Sequence, residues 1–254
     1  MGKVNTEDCW TDPRSVVKCI GPKLVPFFKT VAIYFVLADR ESETWLTCIL
    51  KCLPIIWLCI FVVLNGISFE ERHTYNRRIL LGLLFSMAGD AFLVGSSTFL
   101  YGLVSFSIAH IFYINGFGFK PLNYRSAIVS ATIGLTGLMI LWPRLAGIMV
   151  FAVPYYAALL ITMLWRSLAR VQFNDVWTWT QLCSCVGGIL FVISDSLLAL
   201  NMFSVNIGLT AKQSQMFVMI TYYAAQMGIA LSVVDNKSIL TISQQNAEKQ
   251  SKLK

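Results

Sequence analysis

The chain has 254 residues, of which 56% are hydrophobic and only 13% charged, and its mean hydropathy is +0.66. Soluble domains carry roughly 25% charged residues, so this composition excludes an ordinary water-soluble enzyme and a disordered chain. The net charge of +7 does not point to nucleic acid, because in so apolar a chain surplus Lys and Arg mark cytoplasmic loops.

In chain order, residues 1–21 are polar and mixed in charge, without a secretory leader pattern. Several long stretches then lack Asp, Glu, Lys and Arg altogether: 52–69, 91–119, 126–143, 145–165, 176–194 and 213–234. Each is long enough for a helix to cross a hydrocarbon layer of about 30 Å. The pattern predicts an all-α membrane protein, a bundle of eight transmembrane helices near 22–38, 45–66, 78–95, 98–118, 126–143, 146–165, 178–201 and 214–234. They form one domain, 22–234, between the polar N-terminus, 1–21, and a polar tail, 235–254, expected to be disordered. Charge fixes the orientation. Of the 20 Lys and Arg, Lys29 and Lys51 fall inside spans and Arg40, Arg144 and Lys212 on one side, which leaves 15 on the other side with both termini. Without the first helix the two sides would be nearly balanced, so the positive-inside rule supports eight spans with both termini cytoplasmic.

The 7 cysteines lie mostly in apolar runs, form no CxxC pair and have only His73 and His110 as imidazole company. They read as small packing residues, and no metal site is expected. Absence of GxSxG, GxxxxGK and HExxH patterns and of RNA-binding aromatic motifs speaks against a serine lipase, an ATP-driven transporter, a zinc protease and a nucleic-acid partner.

Five residues are costly inside spans: Lys29, Lys51, Asp90, His110 and Asp195. Ionisable groups in lipid face the bundle interior and mark a functional site or a structural lock. Gly82, Ser86 and Asp90 share one face of the third helix, and Ser184, Gly188, Asp195 and Ala199 make a similar small-residue face on the seventh. Both aspartates sit near the far ends of outward-running helices, about 8 Å deep at ~1.5 Å per residue, with Lys51 level and Lys29 and Tyr222 somewhat deeper. Two outcomes follow. Each aspartate pairs with a lysine and locks helix register, or the two carboxylates share a low-dielectric site and divide into an acid and a base. Phe106, His110, Tyr113 and Phe117 share a face of the fourth helix, where the histidine is a structural residue or a proton carrier. Tyr222 and Gln226, one turn apart, orient a carboxylate or join helices. Tyr155 and Tyr156, after Pro154, read as packing beside a proline kink. Residues 89–93 (GDAFL) and 194–198 (SDSLL) echo each other and hint at a four-plus-four duplication.

The segments GPKLVPFFK (21–29), KCLPI (51–55), GDAFL (89–93), AHIFY (109–113), ISD (193–195) with ALN (199–201), and TYYAAQ (221–226) together resemble the YhhN, or transmembrane-86, family of lysoplasmalogenases, most closely its vertebrate A-type branch. The resemblance spans about residues 21–234 and rests on the order and spacing of motifs, not on any one of them. It implies hydrolysis of the vinyl ether bond of a lysoplasmalogen to a fatty aldehyde and glycerophosphocholine or glycerophosphoethanolamine. Asp90 and Asp195 match the family's intramembrane aspartates and are the expected catalytic pair. Lys29, Lys51, His110, Tyr113, Tyr222, Gln226 and Asn201 are expected to bind substrate or support the pair, with Lys29 or Lys51 a ligand of the substrate phosphate or else a counter-ion. Vinyl ether cleavage is acid chemistry and asks for no cofactor: a proton on the β-carbon makes an oxocarbenium ion, and water then adds. The expected partners are the lysoplasmalogen and bilayer lipid, in the endoplasmic reticulum; a homo-oligomer is neither required nor ruled out. A proton-coupled lipid or solute transporter using the same residues, and a lipid-binding scaffold, stand as alternatives.

Overall fold

The computed structural model describes residues 13–37, 44–67, 73–171, 179–205 and 208–234. These form eight α-helices: α1 (Pro13–Leu37), α2 (Trp45–Leu64), α3 (Thr74–Phe92), α4 (Phe99–Phe117), α5 (Tyr124–Leu141), α6 (Met149–Ala169), α7 (Trp179–Met202) and α8 (Ala211–Leu231). Every predicted helix is present. The clearest difference is at α1, which begins at Pro13 rather than 22, so part of the expected polar N-terminus is helical. Proline is well placed there, since the first turn has no partner for its missing N–H. Residues 1–12 and the tail from 235 lie outside the described residues.

Local chemistry sets several starts. Thr44 caps α2 by accepting from the Thr47 N–H at 3.3 Å, and Asn123 caps α5 by accepting from the Ser126 N–H at 3.2 Å. Thr210 and Gln213 form a reciprocal capping box at the start of α8.

Among the described residues, six helices are long and apolar enough to cross a membrane: α1, α2, α4, α5, α6 and α7. The other two, α3 and α8, carry much of the buried polar cargo, including Asn76, Ser86 and Asp90 on α3 and Ser214, Tyr222 and Gln226 on α8. They can do so because they are enclosed. The helix α3 packs on α2, α4 and α8, while α8 packs on α7, α2 and α3, so neither depends on lipid contact over most of its surface. The opposite case is α5, on which only Ser130 and Leu141 are buried.

The helices alternate in direction. At one end, Arg166 in the last turn of α6 is buried and donates to the Gly118 and Pro121 carbonyls at 2.5 and 3.1 Å, just after α4. Nearby, Arg170 lies over Tyr75 of α3 and Phe117 of α4. At the other end, Arg144 between α5 and α6 reaches the Phe203 and Ser204 carbonyls just beyond α7.

The two halves of the bundle repeat one plan. In each half the second helix packs on the first and third, and the third on the fourth. The fourth helix of each half packs on the second helix of the other, as α4 on α6 and α8 on α2. Glycine permits close approaches at matching places. A Cβ on Gly82 of α3 would lie 2.2 Å from the Tyr113 ring on α4. A Cβ on Gly187 of α7 would lie 2.9 Å from the Ala225 carbonyl on α8. Gly82 and Gly187 are as far apart in sequence as Asp90 and Asp195, so the faint echo around the aspartates extends through the architecture.

Candidate active site

The small-residue face of α3 is buried as expected, with Gly82, Ser86 and Asp90 all enclosed. The Asp90 side chain, 2% exposed, has two firm partners. Lys51 of α2 places Nζ 3.4 Å from Oδ1, and Tyr222 of α8 donates to Oδ2 at 2.6 Å. The chain of bonds continues inward. Gln226 donates from Nε2 to the Tyr222 oxygen at 3.2 Å, Tyr113 donates to Gln226 Oε1 at 2.9 Å, and Ser86 stands 3.3 Å from the Tyr113 hydroxyl. Tyr223 also donates to the Lys51 carbonyl at 3.0 Å, tying α8 to α2 beside the ion pair.

Asp195 of α7 has different company. Tyr156 of α6 donates to Oδ2. His110 of α4 places Nε2 3.0 Å from the Tyr156 oxygen and 3.9 Å from Asp195 Oδ2. Among the described residues no Lys or Arg stands within ion-pair distance of Asp195. Its side chain is 12% exposed, more open than Asp90. The fully buried ring of Phe191 separates the two groups, 5.0 Å from His110 and 5.7 Å from Tyr222 between centroids, with Phe106 behind. The carboxylates still lie within electrostatic range of each other.

The quasi-symmetry of the bundle governs this arrangement. Each aspartate sits on the third helix of its half, is met by the second helix of the same half, and is met again by the fourth helix of the other half. Lys51 precedes Asp90 by 39 residues and Tyr156 precedes Asp195 by 39. Tyr156 therefore stands where the first half has a lysine, and His110, on α4, is the cross-half neighbour of Asp195 as Tyr222, on α8, is of Asp90.

Of the residues expected to support the pair, Lys51, His110, Tyr113, Tyr222 and Gln226 converge on it. Lys29 does not: it lies on the exposed face of α1, away from these bonds. Asn201, near the end of α7, is also exposed. Tyr156, assigned to packing from the sequence, is instead the direct partner of Asp195. The lysine-lock expectation holds for Asp90 alone. Among the described residues no three His, Cys, Asp or Glu side chains gather as metal ligands. An apolar groove of about 130 Å³ opens between α4 and α6, its lining including Leu103, Val104, Ser107, Ile111, Ala152 and Tyr155. Ser107 lies one turn from His110, and Tyr155 adjoins Tyr156.

Six apolar helices long enough to cross a membrane, enclosing two interior carboxylates, define a multi-pass helical membrane protein. The chain belongs to the YhhN family, which it matches over residues 46–233. It is 40% identical over 229 residues to the human protein named lysoplasmalogenase TMEM86A, covering 89% of this chain and 94% of that one. The bovine protein of the same name is 38% identical over the same shares. Pig lysoplasmalogenase TMEM86B is 36% identical over 217 residues, 84% of this chain and 87% of its own. No solved structure matches the chain.

Proposed function

We propose that the chain is a lysoplasmalogenase in which Asp195 is the proton donor and Asp90 the fixed anion. The observation that carries this reading is the unequal pairing of the two carboxylates. Asp90 faces Lys51 at 3.4 Å, and a cation and a phenol donor both stabilise the anionic form of a carboxylate. Asp195 faces only a phenol and an imidazole, so it can carry a proton without breaking an ion pair. The names of the relatives favour hydrolysis over the transporter reading.

The chemistry then runs in order. The Asp195 carboxyl gives its proton to the β-carbon of the vinyl ether. The α-carbon and ether oxygen share the resulting positive charge, which the Asp90 carboxylate stabilises across the low-dielectric site. Water adds to the α-carbon, and the hemiacetal splits into a fatty aldehyde and the glycerol hydroxyl of the headgroup product. The division of labour resembles that of a glycosidase carboxylate pair, where a general acid and an anionic carboxylate flank an oxocarbenium-like state. The alkenyl chain occupies the apolar groove between α4 and α6, whose walls adjoin the helical turns that carry His110 and Tyr156. Lys51 is committed to Asp90, so the phosphate contact expected of a lysine falls to Lys29 or to backbone donors.

All eight helices span the endoplasmic reticulum membrane in this proposal, with both termini and the Arg166–Arg170 end cytoplasmic. Asp90, near the C-terminal end of α3, then lies toward the lumenal side. The test is aldehyde release from a 1-alkenyl lysophospholipid by the purified protein in detergent. Release that disappears in Asp195→Asn supports the assignment, and full release from that variant refutes it.

A further inference from the structure

The Asp195 group holds an imidazole whose tautomer the hydrogen bonds determine. Tyr156 has a single hydroxyl proton and donates it to Asp195 Oδ2. The 3.0 Å contact between the Tyr156 oxygen and His110 Nε2 must then be an Nε2–H donating to the phenol. In the neutral ring the other nitrogen, Nδ1, carries a free lone pair. That atom is fully buried and has no hydrogen-bond partner among the described residues. A buried imidazole nitrogen without a partner costs stability, and a catalytic use is one reason for a protein to keep it. Besides the Asp195 carboxyl, 3.9 Å from Nε2, the rings that face the imidazole are Tyr156 at 5.2 Å, Phe191 at 5.0 Å and Tyr113 at 6.5 Å between centroids.

We propose that His110 Nδ1 is the base that takes the proton of the attacking water, and that Tyr156 relays a proton from His110 Nε2 to Asp195 to restore the acid. This rests on the lysoplasmalogenase reading above and adds the residue that closes the cycle. After Asp195 has protonated the β-carbon, it is a carboxylate accepting from Tyr156. Water bonds to the oxocarbenium carbon through an oxygen lone pair, and its proton moves to Nδ1. Nε2–H passes to the Tyr156 oxygen as the Tyr156 proton passes to Asp195 Oδ2. The result is Asp195 protonated, the phenol unchanged and His110 neutral with its proton on Nδ1. As the hemiacetal splits, Nδ1 gives this proton to the glycerol oxygen, the hemiacetal hydroxyl proton leaves to solvent, and Nε2 takes one proton back from solvent, which restores the starting tautomer. The net reaction consumes one water.

The comparison of the two halves supports the assignment. At Asp90 the equivalent places hold Lys51 and Tyr222, a cation and a phenol that stabilise the anionic form of a carboxylate and leave no base free. At Asp195 both places hold groups that pass protons on.

The test uses full-length protein in detergent with a 1-alkenyl lysophospholipid. His110→Gln keeps a donor toward Tyr156 but removes the Nδ1 base, and Tyr156→Phe keeps the ring but removes the relay. Each is expected to lower kcat by ~10²–10³-fold with KM within about threefold of wild type. In His110→Gly, added imidazoles should restore turnover in proportion to their base strength, a response that a packing role for His110 would not give. If His110→Gly does not fold, Tyr156→Phe decides. Turnover within about threefold of wild type in His110→Gln or Tyr156→Phe, or rescue indifferent to base strength, overturns the relay. Asp195→Asn runs alongside: loss there with active His110→Gln sinks only the relay, whereas an inactive wild type sinks the parent reading.

Discussion

Lys51 and Asp90 form the most exposed test of the site's electrostatics, because sequence alone left Lys51 as either a phosphate ligand or a counter-ion. Their side chains are 13% and 2% exposed, so both charges are largely removed from water. Replacing Lys51 by Met leaves the carboxylate with the Tyr222 hydroxyl alone. Stranding one member of a buried ion pair costs ~3–5 kcal/mol. For a chain of this size each kcal/mol shifts the melting temperature by roughly 2–4 °C, so Lys51→Met should melt about 6–20 °C below wild type. Asp90→Asn should cost less, since the lysine can reach water and Asn still accepts from Tyr222. The double variant carries no buried charge and should recover most of the loss, giving a coupling of ~1.5–3 kcal/mol in a double-mutant cycle. Thermal unfolding of the four proteins in one detergent reads the stability. Michaelis kinetics on the same preparations should show Lys51→Met losing kcat with KM within about threefold. A Lys51→Met protein that melts with wild type and shows only a raised KM would refute the counter-ion role and return Lys51 to the phosphate.

Three further outcomes are expected. Asp90→Asn and Asp195→Asn should each remove nearly all turnover, by ~10²–10⁴-fold, and because the groups act as a unit the double variant should be little slower than either, as initial rates of aldehyde formation would reveal. Gly82→Ala should destabilise by ~1–3 kcal/mol, because its Cβ would enter the Tyr113 ring at 2.2 Å and disturb the Tyr113–Gln226–Tyr222 chain, whereas Gly137→Ala meets nothing within 4 Å and should melt at or above wild type. Single cysteines at Leu122 and at Gly147, in a background without the native thiols, should label from opposite sides of sealed microsomes with a membrane-impermeant maleimide; labelling from one side would overturn the alternating topology.

Much of the fold was legible because its signals are physical necessities. Charge-free runs long enough to cross lipid located six of the helices, the balance of basic residues supported the first, and small residues beside Asp90 and Asp195 indicated that both point into protein. Helix ends were less legible. Pro13 can open a helix, but nothing in the polar residues around it announces one. The capping box of Thr210 and Gln213 starts α8 three residues before the apolar run suggested. Counting residues along a helix gives depth but not direction around the bundle, which is why Lys29 shared the expected level of the aspartates yet lies exposed. Tyr156 was missed because a tyrosine beside Pro154 in an apolar helix packs acceptably in many roles. Its signal was relational: the 39-residue spacing of Lys51 and Asp90 recurs in Tyr156 and Asp195, visible once the two halves are aligned. The low apolarity of α3 and α8 likewise made sense only when their neighbours were known.

The central claim is that a carboxylic acid in the bundle protonates carbon. Purified wild-type and Asp195→Asn proteins can be given a 1-alkenyl lysophospholipid in heavy water, with the aldehyde trapped within seconds and its mass determined. Carbon protonation predicts one deuterium on the carbon next to the carbonyl from the wild type and almost no aldehyde from Asp195→Asn. Aldehyde without that deuterium, or equal release from both proteins, would contradict it.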